Sequence, residues 1–368
     1  GDFAPDLPLS ERIDFKGLKP GTYYRISVTT ANGNIVTLDA RTKPEKNEKP
    51  LSFLAFSCNN PFAITGDDER NSEKWRAQMR TKQNSLRLFA DRANNIIKLK
   101  DFGRPAFALG LGDQYYVDGD NLKKDAMAIF QGDRSVPKFG PNKKLFGPLL
   151  DVIYRAHFAM PFFDAGLRGV PTAMIWDDHE LQDGWDAKDE EGKTVNPLGS
   201  GYETYPNAAL KAFLGYQSLR NPNPETIHEI KSKPMDVEFT WGQNIYVRML
   251  DTRSIELPRK REYTDECKCK SKPDPAFRAW DEQLKNLKKW LGKSSADKPA
   301  LFVLGLATPL SIATGAEGRK KIAKKLSETR LAYEQKDDLN DVWAAKEAAR
   351  IELLQVLTDH FLRHSKHR

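Results

Sequence analysis

Cysteine is scarce in this sequence: three residues in 368, with Cys58 alone and Cys267 and Cys269 two apart in a lysine-rich loop. So few thiols exclude a disulfide framework, and a Cys-Lys-Cys pair lacks the spacing of a zinc site. Long apolar runs are missing too. The longest, around Leu301 to Ala307, has the length of a strand, far short of the ~20 residues a membrane-crossing helix needs. No initiator methionine is present. The chain opens on Gly1 and reads as a processed or recombinant fragment, in which a signal peptide would not be visible. Zinc fingers, RNA-stacking motifs and long basic helices are absent, which disfavours a nucleic-acid-binding protein.

What is there suits a soluble globular protein. Apolar residues make up 39% and charged residues 30%, against wholesale disorder. The length allows one large domain or two ordinary ones. Fifty-eight Lys and Arg against 51 Asp and Glu leave a net charge of +7, which steers anionic substrates without identifying one. The basic residues are scattered. The cluster Arg319–Lys325 reads as a solvated lysine-rich face, and Arg259–Arg261 is a second local cluster.

The first forty-odd residues read as short strands and turns. Tyr23 to Val28 and Asn34 to Leu38 alternate in polarity, with Lys19-Pro20-Gly21 and Asn32-Gly33 supplying turns. This predicts a small, partial β-sandwich over 1–43, joined by a charged, proline-bounded linker over 44–50. Beyond it, short apolar runs alternate with helical stretches: Leu51–Phe56, Ala106–Leu111, Pro171–Trp176, Ile245–Leu250 and Ala300–Leu306. Trp75, Met79, Leu86, Phe89, Ala93 and Ile96 repeat at helical spacing, as do Trp280, Leu284, Leu287 and Leu291. Buried strands separated by helices predict a layered α/β domain over 51–368. Residues 186–204 are polar and glycine-rich and read as an irregular loop.

Chemistry collects where the strands stop. The first run ends in Ser57-Cys58-Asn59-Asn60 and the second in Gly112-Asp113-Gln114-Tyr115-Tyr116. The third ends in Asp177-Asp178-His179-Glu180 and the fourth in Asp251-Thr252-Arg253-Ser254. Open α/β sheets bind ligands outside the carboxyl ends of their strands, so these exits predict one shared site. Carboxylates, a thiolate, a phenolate and an imidazole suit hard and borderline cations alike. Such ions could polarise a phosphoryl oxygen, and a pair of them could clamp an in-line displacement.

Each residue also has a plainer reading. Cys58 fits a lone buried thiol, Asp113 a turn residue and Tyr116 a core aromatic. Asp177 and Asp178 fit a helix cap, and Arg253 a structural salt bridge to Asp251. The histidines other than His179 fit structural or solvent-facing roles.

Gly112-Asp113 and Asp178-His179-Glu180 look like the metallophosphoesterase pair Gly-Asp and Gly-Asn-His-Glu, with Asp in place of Asn. Phe56-Ser57-Cys58, Leu111 to Tyr116, Trp176 to Glu180 and Leu250 to Arg253, in that order, resemble the alkaline phosphatase D (PhoD-like) metallophosphoesterases. The similarity continues through Gln283 to Leu291 and Asp338 to Trp343. The resemblance implies a layered metallophosphoesterase-like domain, sheets flanked by helices. It implies hydrolysis of phosphate mono- or diesters, with two or more metal ions: iron and calcium, or manganese or zinc. By the same resemblance Cys58, Asp113, Tyr116 and Asp178 are metal ligands. His179 faces the phosphate as a catalytic group, and Arg253 is a phosphate-facing or supporting cation. A periplasmic or extracellular location follows from the family as well. The substrate is the one partner implied; no nucleic-acid or membrane partner is indicated.

One part of the pattern is not met. The family carries a last strand with Gly-Asp-x-His after a helix such as Val342–Leu362, whereas this chain ends at His364-Ser365-Lys366-His367-Arg368. The expectation is either a shortened chain or a site lacking part of its donors. The rival function is therefore a non-catalytic metal- or phosphate-binding domain. The geometric expectation is that Cys58, Asp113, Asp178 and His179 meet at one sheet edge, with no ligand from residues 8–42.

Overall fold

The computed structural model describes residues 12–46, 51–58, 105–114, 150–151, 154–155, 158, 167–180, 205–222, 234–255, 257, 263–264, 267–271, 277–294, 299–308 and 347–364. In chain order the strands are β1 (Tyr23–Thr29), β2 (Ile35–Arg41), β3 (Leu54–Phe56), β4 (Ala108–Leu111) and β5 (Thr172–Ile175). Helix α1 (Tyr205–Tyr216) and a 3₁₀ turn (Ser218–Arg220) follow. Next come β6 (Val237–Trp241), β7 (Ile245–Leu250), β8 (Tyr263–Thr264) and β9 (Cys267–Ser271). The series closes with α2 (Arg278–Leu291), β10 (Leu301–Leu306) and α3 (Glu347–Arg363). The helix expected over Trp75–Ile96 and the loop expected over 186–204 lie outside the described residues.

β1 and β2 form an antiparallel hairpin, in register from Tyr23↔Arg41 to Thr29↔Ile35. Gly33 turns the chain at φ 83°, and the Thr30 N–H donates to the Asn34 carbonyl at 2.8 Å. Alternating polarity makes the strands, and most of their side chains stay exposed. Asp39 is engaged by Arg25 across the hairpin.

Two three-stranded sheets carry the core. The first, ordered β3-β4-β5, is parallel throughout. In the second, ordered β10-β7-β6, β10 runs parallel and β6 antiparallel to the central β7. The strand period of two sorts β7 and β10 between two cores. Ile245, Val247 and Met249 join Phe107, Leu109, Ala173 and Ile175 of the first sheet in one apolar layer, with Leu301 and Val303 packed against it. Leu250 joins α2 and α3 in the other layer through Trp280, Leu284, Leu287, Trp290, Leu353 and Val356, with Tyr246, Phe302 and Leu304 packed alongside. Each such side chain stabilises the fold by about 1.5–3 kcal/mol when fully buried. α2 follows the predicted spacing of Trp280, Leu284, Leu287 and Leu291 and ends at Gly292.

Glycine sets how closely the layers approach. A Cβ on Gly305 of β10 would lie 2.7 Å from the Met249 side chain and 2.8 Å from that of Leu111. On the far side of the first sheet, Trp176 stacks on Phe213 of α1, with centroids 5.4 Å apart. Asn221, just past the 3₁₀ turn, brackets Met174 by hydrogen bonds of 2.7 and 2.9 Å to its N–H and carbonyl. One prediction needs correction, and one strand carries no sequence expectation. Cys267 and Cys269 lie on strand β9, paired with β8, rather than in a loop, because the alternation Cys-Lys-Cys-Lys has strand period. β6 was not anticipated: its Val-Glu-Phe-Thr-Trp alternation carries no long apolar run.

Candidate metal centre

Parallel pairing of β3, β4 and β5 sends their chain exits to one edge of the sheet. Cys58 lies two residues past β3, Asp113 two past β4 and Asp178 three past β5. The backbone is strained there. Cys58 and Asp113 both have φ 53°, and among the described residues they are the non-glycine positions with positive φ. Such a conformation costs an L-residue about 1–2 kcal/mol and tends to collect where function over-determines the structure. A hydrogen bond from the Cys58 N–H to the Gly112 carbonyl, 3.3 Å, helps hold it. Gly112 itself has φ 92°, and a Cβ there would stand 2.4 Å from Cβ and 2.8 Å from N of Asp177. Only glycine lets the β4 and β5 exits touch.

The touching exits bring donors together. One ligand atom each from Asp113, Asp178 and His179 lies within 4.8 Å of the others. Atoms held by one ion at about 2.0–2.5 Å each are separated by no more than roughly twice that, so the three fit a single cation. The two carboxylates are buried and His179 is part-exposed. The His179 N–H donates to Asp113 Oδ1 at 3.3 Å, and the Cys58 thiol donates to Asp113 Oδ2 at 3.5 Å. Cys58 is exposed, so it approaches Asp113 from the solvent side.

Electrostatics describe a cluster short of positive charge. Burial first, then the charges of Glu180, Asp177 and Asp178, push the Asp113 carboxyl up to about 9, with His179 opposing. Burial lifts Glu180 to about 7, while N–H donors from Asp177, Gln114 and Gln217 pull it back. Two carboxylates and an imidazole are a donor set that borderline and hard cations accept.

Further carboxylates brace the site. Glu180 is wholly buried and accepts the N–H groups of Asp113, Gln114 and Asp177. The Arg253 guanidinium binds Asp177 through Nε and stands 3.4 Å from Asp178 Oδ1 through Nη2. Asp251, also wholly buried, receives the Trp176 indole at 2.9 Å and the N–H groups of Met235, Arg253 and Ser254. The ion pair considered from sequence, Arg253 with Asp251, is thus not the one formed by the guanidinium. Asp251 takes the backbone N–H of Arg253, and the side chain crosses to the first sheet's exit.

Cys58, Asp113, Asp178, His179 and Arg253 therefore form one connected group. Tyr116 lies outside the described residues. Sequence reasoning assigned no role to Glu180. A Glu three residues beyond Asp177 and directly after Asp178-His179 is the capping-box spacing that could have drawn attention to it. Nothing in the spacing of Asp251 foretells its bond to Trp176, which arises between sheets.

A buried carboxylate cluster at the carboxyl edge of a parallel sheet, with imidazole and thiol beside it, defines a protein able to hold a cation there. The sequence model of the PhoD-like phosphatases matches residues 94–365, and this chain belongs to that family. A solved structure of PhoD is similar, with a TM-score of 0.52 and 16% identity, over 94% of this chain and 55% of that one. This chain thus spans about half the length of that solved chain. At such identity the likeness speaks for the fold, which here is one of mixed sheets and helices. No curated protein matches.

Proposed function

We propose that this chain is the metal-dependent hydrolytic domain of a phosphoric ester hydrolase, acting on phosphate monoesters or diesters. One observation carries the reading: Asp113, Asp178 and His179 converge at one sheet edge in a chain of the PhoD-like phosphatase family. The domain is a layered metallophosphoesterase-like unit over 51–368, preceded by a partial β-sandwich over 1–43 and a linker over 44–50. A periplasmic or extracellular location accords with the family.

Asp113 and Asp178 would hold the ions, and Cys58 and Tyr116 would bias one position toward iron. Calcium, manganese or zinc suits the carboxylate side. Bound ions would supply positive charge to a phosphoryl oxygen and to both oxygens of an in-line displacement. His179, on the part-exposed side of the cluster, orients the phosphate or delivers a proton to the leaving oxygen. Arg253 stands behind Asp177 and Asp178, offsetting their negative charge next to Asp113.

The test is turnover of p-nitrophenyl phosphate and bis-p-nitrophenyl phosphate with iron, calcium, manganese and zinc, in the chain and in Asp113→Asn. The expected result is metal-dependent release of p-nitrophenol that falls by orders of magnitude in the variant. Turnover undiminished by Asp113→Asn would end the metal-hydrolysis reading. Tight metal binding with no turnover of either ester would favour the non-catalytic domain.

A further inference from the structure

The main-chain ladder between β4 and β5 stops at Leu111↔Ile175, yet the donors of the candidate centre lie beyond that point. Something other than the sheet must hold the two exits in register. Among the described residues, the His179 N–H reaches Asp113 Oδ1 at 3.3 Å, and the main-chain N–H groups of both exits meet on one further side chain, Glu180. Glu180 Oε2 accepts the N–H of Asp113 at 3.0 Å and that of Asp177 at 2.9 Å. Its Oε1 accepts the N–H of Gln114 at 2.8 Å and the Gln217 amide at 3.1 Å. The first and third of these span 67 and 66 residues of chain, so this is no local turn.

We propose that Glu180 is a positioning residue for the metal centre, setting the separation of Asp113 and Asp178 by holding the N–H groups of both exits on one carboxylate. The proposal rests on the reading of these aspartates as metal ligands. Each main-chain N–H held belongs to Asp113 itself, to its successor, or to the residue just before Asp178. A shift of the carboxylate therefore moves both donors together. Gln217, at the end of α1, fixes the remaining freedom of Glu180 and contacts the Tyr154 hydroxyl at 3.3 Å. A carboxylate is needed because every group facing it is a donor. A glutamine would turn an NH₂ toward N–H groups and leave some of them without an acceptor.

The experiment compares Glu180→Gln with Glu352→Gln. The latter is the same chemical change at a buried carboxylate between α2 and α3, where Glu352 accepts the Trp280 indole N–H at 2.8 Å. Asp113→Asn serves as the benchmark. Two quantities are read: the Mn²⁺ dissociation constant by calorimetry, and amide hydrogen exchange at residues 113, 114 and 177. Glu180→Gln is expected to weaken Mn²⁺ on the order of 10–100-fold, the usual cost of losing an outer-shell partner, and to speed exchange at those three amides. Glu352→Gln is expected to lower the melting temperature and leave Mn²⁺ binding unchanged.

Mn²⁺ binding within twofold of the parent in Glu180→Gln, with Asp113→Asn binding none, would overturn the positioning role and leave the centre standing. Equal weakening by Glu352→Gln would reduce the effect to general stability and overturn it too. Unaltered binding by Asp113→Asn would remove the metal centre itself, and this proposal with it. Should Glu180→Gln not fold, Gln217→Met asks the same question by releasing one side of Glu180. A several-fold weaker Mn²⁺ affinity and faster exchange at Gln114 support the role, and no change in either overturns it.

Discussion

Substituting Gly112 by alanine tests whether the approach of the β4 and β5 exits is as close as described. Two costs add. An L-residue held at φ 92° pays about 1–2 kcal/mol for the left-handed conformation. The new Cβ would stand 2.4 Å and 2.8 Å from Cβ and N of Asp177. Backbone cannot swing aside as a side-chain tip can, so overpacking adds about 1–3 kcal/mol, for a total of ~2–5 kcal/mol. Gly33→Ala isolates the first cost, since Gly33 has φ 83° and nothing within 4 Å of its would-be Cβ. Gly110→Ala isolates the second in a cheaper form, because the Cβ there meets the flexible Met174 side chain at 2.9 Å. Urea unfolding of all three in the presence of a chelator gives the comparison without metal linkage. The expected order of loss places Gly112→Ala well beyond either control. A loss no greater than that of Gly33→Ala would refute the close approach, and with it the geometry that brings Asp113 to Asp178.

Two further outcomes concern charge and metal. Arg253→Ala leaves Asp177 and Asp178 buried without the guanidinium and should cost about 3–5 kcal/mol in urea unfolding; a change under about 1 kcal/mol would show that solvent already screens the pair. Mn²⁺ at 100 times its dissociation constant should raise unfolding stability by about 2.7 kcal/mol. Asp178→Asn should erase that gain in the same titration, and a gain preserved in the variant would place the ion elsewhere.

The parallel sheet and the aspartate and histidine positions were legible in the sequence for one reason. Strands buried on both faces read as uninterrupted apolar runs, and the polar residue that ends each run marks its carboxyl end. Leu111-Gly112-Asp113 and Trp176-Asp177-Asp178 show this directly. β6 and the β8–β9 hairpin were less legible because their alternation resembles ordinary polar chain. The long-range bonds of Glu180, Asp251 and Arg253 were not legible. Each joins residues on different elements, and which carboxylate meets which donor is settled by the approach of loops that no single segment encodes. Arg253 illustrates this: Asp251 is two residues away, but Asp177, 76 residues distant, takes the guanidinium.

Sequence separation within the cluster has a consequence for assembly. Cys58 and Asp113 are 55 residues apart, and Asp113 and His179 are 66 apart. Asp178 and His179 are neighbours in the chain, but the contacts that bring Asp113 and Cys58 to them must wait for long loops to close. An ion that binds here is therefore a ligand of the finished fold and not a seed for it. Chelating metal during refolding should leave the rate of sheet formation unchanged and lower only the stability of the product.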